Sequence, residues 1–180
     1  MVAPMEHVLP LAGWENFYVI IGSSAAALTG LQFVVVTLIG PELAKKSGTE
    51  INTFGTPTVV HFCSVLVVAS IFSAPWHALS SAALALGISS AFGVAYAANT
   101  IRRARRSRNY HPVLEDWIWH AFLPLMAYCT LLMGSLLMQR DTADSLFFVA
   151  ASSLLLLLVG IHNAWDSVVW IAVEQRRKEG

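Results

Sequence analysis

Five long runs almost free of charge limit what this chain can fold into. They are Phe17 to Ile39, Thr58 to Ala74, Leu79 to Asn99, Trp117 to Met138 and Ser145 to about Val173. A helix rises 1.5 Å per residue, so roughly 20 residues cross a hydrocarbon core about 30 Å thick. Four runs reach that length, and the second, with 17 residues, stands at the short limit. Only 12% of the 180 residues are charged, against about 25% in soluble domains. Mean hydropathy is +0.62. These features predict an all-α integral membrane bundle of five transmembrane helices, built as one polytopic domain over 1–180. Gly40-Pro41 is expected to close the first span, and Pro57 and Pro75 to bound the second, at helix ends where a missing N–H does little harm. Met1 to Gly13 has no Lys or Arg, so it lacks the basic start of a cleaved signal peptide and the first run is expected to stay as a span.

The connections carry the orientation. Lys45 and Lys46 lie between the first two runs. Arg102, Arg103, Arg105, Arg106 and Arg108 follow the third, and Arg176, Arg177 and Lys178 follow the fifth. With five spans all three segments fall on one side and hold ten of the eleven Lys and Arg residues; only Arg140 lies opposite. Basic loops stay in the cytoplasm, so the N-terminus is expected outside and the C-terminus inside a bacterial-type cytoplasmic membrane. The partners implied are the lipid bilayer and, beside the five arginines, anionic lipid headgroups. No aromatics interleave with those arginines and there is no second basic patch, so nucleic acid is not indicated. Gly22, Ala26 and Gly30 recur every four residues and the third run is rich in Ala, Gly and Ser. Such faces let helices approach closely within a chain or between copies, so a homo-oligomer is a further expectation.

Ionisable groups inside spans are costly and need partners. His61 lies about a turn into the second run, Asp116 and His120 are four apart at the start of the fourth, and His162 and Asp166 are four apart near the end of the fifth. Residues four apart share a helix face. The two helices run in opposite directions, so the pairs match in depth if their faces meet. Trp117 and Trp165 flank them. Glu115 and Asn163 sit about 100° off that face and rank second. Pro124 removes the helical donor to the carbonyl of His120.

Three imidazoles and two carboxylates on three helices suit a divalent metal such as Zn, Mn or Fe, giving a candidate site of His61, Asp116, His120, His162 and Asp166. The same residues suit proton relay, two histidines on neighbouring spans suit a haem, and all five also serve as plain polar contacts between helices. A structural or regulatory membrane subunit without chemistry and an oligomeric ion or proton channel therefore stand beside the metal reading. Cys63 and Cys129 lie in apolar runs and read as packing residues. No P-loop, dinucleotide fingerprint, HExxH or GxSxG occurs, so no enzyme class gains support.

Overall fold

A computed structural model describes the backbone of residues 10–45, 49–106 and 114–179, and the side chains of 11–37, 57–105, 114, 115 and 117–169. Among them there is no strand. A short 3-10 turn, Pro10–Trp14, leads into α1 (Glu15–Lys45), followed by α2 (Thr49–Ser73) and α3 (Leu79–Arg106). The fourth rod is α4 (Leu114–Trp117), a π turn (Ile118–Phe122) and α5 (Leu123–Leu137), and α6 (Thr142–Glu179) closes the chain.

Four helices are long and apolar enough to cross a membrane, over Leu11–Thr37, Leu79–Arg105, Ile118–Leu137 and Thr142–Val169. They suit a multi-pass membrane protein. The apolar part of α2, Pro57–Ser73, is shorter. Two expected breaks are absent. α1 runs through Gly40-Pro41 to Lys45, and Pro57 lies inside α2 rather than at its start. A proline removes one ladder bond, and a helix with neighbours on its flank tolerates that loss. Most of the segment read as a loop between the first two runs is therefore helical, and residues 46–48 lie outside the description.

The helices pack in the order α1, α2, α6, α5, α3, with α3 closing more lightly back onto α2. Small residues set these approaches. A Cβ on Gly22 would come within 2.8 Å of the Ala69 Cβ, and one on Gly160 would overlap the Phe62 ring. The small-residue faces of the first and third runs do not meet each other as a main interface within the chain. α1 gives Gly22 to α2, while Gly30 meets nothing within 4 Å.

Buried side chains such as Phe62, Val65, Leu86, Leu131 and Leu156 fill the centre, while Ile20, Leu84, Phe92, Leu136 and Phe147 point outward. An outer surface this apolar suits lipid. One end gathers the basic C-terminus of α3 and the start of α4, where the Arg105 guanidinium lies 5.9 Å from the centre of the Trp117 ring. We refer to it as the basic end. The other end holds an aromatic cluster of Trp14, Phe17, Tyr18, Phe72 and Phe147, with Tyr18 stacked on Phe72 at 4.6 Å. The link between α5 and α6 is tight because Asp141 caps α6, its carboxylate accepting from the Asp144 N–H at 3.2 Å.

Candidate functional site

His61 sits on the inward face of α2, 2% exposed. Its Nδ1 is 3.0 Å from the Tyr128 hydroxyl of α5, which is also 3.0 Å from Ser64 Oγ, one turn along α2. Ser64 in turn donates to the Val60 carbonyl at 2.8 Å. Only one proton order makes all three bonds. Ser64 spends its single hydrogen on Val60, so it accepts from Tyr128, and Tyr128 accepts from His61 Nδ1–H. The chain thus holds His61 in one tautomer and leaves its Nε2 with a lone pair.

This arrangement depends on Gly93 of α3. A Cβ there would overlap the Tyr128 ring. With hydrogen in its place, the ring packs closely against α3 and its hydroxyl reaches across to α2. Tyr128, Ser64 and Gly93 are the residues that sequence reasoning missed. The available signals were the three-residue spacing of His61 and Ser64 and the four-residue steps from His120 through Pro124 to Tyr128, each of which marks one helix face.

His120 lies on the π turn, close enough to His61 for the two imidazoles to interact electrostatically. The π turn has a cause in the sequence. Pro124 has no N–H, and the Leu123 N–H bonds to the Ile118 carbonyl five residues back. A proline following an ordinary turn would clash with the carbonyl four residues before it, and the extra residue in the wider turn relieves that.

His162 stacks on Trp119, with ring centres 3.8 Å apart and planes at 20°. The fourth and fifth runs therefore do meet at this depth, but the contact is indole on imidazole. His162 Nε2 is 3.0 Å from Asp166 Oδ2, close enough for an ion pair yet not aligned for a hydrogen bond. Asp166 is half exposed, so this pair sits at the rim.

Asn163 is the buried member of that turn, at 1% exposure, and neither its amide nitrogen nor its oxygen has a hydrogen-bond partner. The spacing of His162 and Asp166 predicts Asn163 about 100° off the central face, whereas it is Asn163 that is buried. The inward stripe of α6 is Leu156, Val159, Gly160 and Asn163, and the spacing of His162 and Asp166 pointed to its neighbour. Glu115 is exposed, as its offset implied. The side chain of Asp116 lies outside the described residues.

Compared with protein-family models, curated proteins and solved structures, the chain finds no match. The site must be read from its own chemistry. His61 and His120 lie within electrostatic range of each other, His162 stacks on Trp119, the residue before His120, and Asp166 stays at the edge. Among the described residues no group of three or more His, Cys, Asp and Glu side chains is placed to hold a metal ion.

Proposed function

We propose that this is a five-span protein of a bacterial-type cytoplasmic membrane, with α2 as the fifth span, the N-terminus outside and the basic end in the cytoplasm. The ten basic residues that five spans would bring to one side support that orientation. The arginines at the end of α3 face anionic headgroups there, and exposed small residues on α1, such as Ala26 and Gly30, are the surface on which copies would associate.

At the cytoplasmic leaflet the protein binds a divalent cation through imidazole nitrogen. The observation that carries this reading is the direction of the His61, Tyr128 and Ser64 chain. A metal-binding histidine offers one nitrogen to the ion and donates the other N–H to a fixed partner, and His61 has that partner in Tyr128. His120 is the second donor, and the remaining members of the proposed set are His162, Asp166 and, from its place in the sequence, Asp116.

The test is metal content. The purified protein, loaded with Zn, Mn or Fe and dialysed, is expected to retain stoichiometric metal and to gain thermal stability with rising metal. His61→Gln and His120→Gln are expected to lose both effects. Absence of retained metal and of any Tm shift in the wild type rejects the site. A lowered Tm of both variants in the absence of metal would then favour a protein whose histidines only tie helices together, and a Soret band in the visible spectrum would favour haem.

A further inference from the structure

A second polar site lies beside the imidazoles, and the cation reading does not account for it. On α6, Gly160 packs against Phe62 of α2. Asn163 lies three residues further on the same face, about 4.5 Å nearer the basic end at 1.5 Å per residue. That height matches the turn of α2 from Thr58 to His61. Asn163 is 1% exposed, and its Nδ2 and Oδ1 are both unpartnered. The neighbouring residue, His162, stacks on Trp119, which brings the π turn to the same height. There the Leu123 N–H passes over Trp119 and bonds to Ile118, and Pro124 has no N–H to offer. The Trp119 carbonyl thereby loses its ordinary ladder donor. One height of the bundle so combines a buried amide with donor and acceptor both unspent and a backbone acceptor released by a proline.

We propose that this height of the bundle is a hydration site, taking water between α2, α6 and the π turn from the basic end. The chemistry selects an uncharged guest. A cation would leave the Asn163 N–H groups without an acceptor, and an anion would leave Oδ1 and the Trp119 carbonyl without a donor. Water supplies both functions in one small molecule, and buried water typically makes about three such bonds. Asn163 lies six residues, about 9 Å, before the end of the apolar stretch of α6 at Val169, so water entering from the basic end need cross little of the apolar core to reach it. The inference does not depend on metal binding, and loss of metal in His61 or His120 variants leaves it untouched.

Two measurements on the full chain in mild detergent test it. Asn163→Leu keeps the volume and removes the polar atoms. If the amide binds water, this variant loses those bonds and Tm falls by about 2–4 °C. If the amide is merely an unpaired buried group, leucine relieves it and Tm stays or rises, which overturns the proposal. Cys63 and Cys129 are both exposed, so the second measurement uses the Cys63→Ser, Cys129→Ser background. In it Asn163→Cys is compared with Leu156→Cys, whose wild-type residue is fully buried deeper on the same face. A small, water-soluble methanethiosulfonate reagent is expected to modify the cysteine at 163 faster than that at 156. Equal rates overturn the proposal, and if Asn163→Cys fails to fold, the leucine variant decides alone.

Discussion

Tyr18 and Tyr128 show how one residue type plays opposite parts in the same bundle. Both are almost fully buried. Tyr128 has its hydroxyl between His61 and Ser64, whereas the Tyr18 hydroxyl has no partner. A buried hydroxyl left unpaired costs about 1–3 kcal/mol, and one that is paired contributes a smaller net amount. Tyr18→Phe should keep the stack on Phe72 and raise stability by up to about 1–3 kcal/mol. Tyr128→Phe should lower it by about 0.6–1.7 kcal/mol, the range for hydrogen bonds between membrane helices. Thermal unfolding of the two variants side by side checks the opposite signs. A Tm for Tyr18→Phe below that of the wild type would show that its hydroxyl has a partner.

At the scale of the element, helix contacts here depend on where a side chain is missing. Gly93 gives the Tyr128 ring its seat on α3, and Gly160 gives Phe62 its seat on α6. Gly93→Ala should force the tyrosine to move and cost about 1–3 kcal/mol. In a Tyr128→Ala background the same change should cost much less, because the collision is gone. The double-mutant cycle is expected to show a coupling of about 0.5–3 kcal/mol, and additive effects would mean that the ring does not rest on Gly93. The small-residue content of the third run was legible in the sequence as a packing face. Its partner was not, because a small residue says that something comes close and leaves open which helix it is. The π turn was half legible in the same way. Pro124 announced a disturbed ladder near His120 and accounts for the wider turn, but that Trp119 rather than His120 meets His162 follows from how the fourth rod packs on α6.

For the molecule as a whole, the sides on which the termini lie depend on α2. Its apolar part, Pro57–Ser73, is short, yet it packs against α1, α6 and α3, and Phe62, Val65 and Val68 are buried among them. A helix sheltered by neighbours need not match the lipid thickness alone, since mismatch costs only fractions of a kcal/mol per Å. Reporters active only outside or only inside the cell, fused in turn to each end, are expected to place the N-terminus outside and the C-terminus within. Both ends on the same side would mean that α2 does not cross and would remove the basis for the orientation.

Hydrophobic run lengths and the placement of Lys and Arg are properties of the chain itself, because lipid demands long apolar helices wherever they sit. The helical class, four helices long and apolar enough to cross a membrane and the expectation for sidedness were therefore readable from the sequence. Which face of each helix turns inward depends on contacts between residues far apart in sequence. The spacing of His162 and Asp166 is as regular as that of Leu156, Gly160 and Asn163, and only the packing of α6 on α2 decides which stripe is buried. For the same reason the tie from His61 to Tyr128, across 67 residues of chain, exists only once Gly93 has let that ring pack against α3.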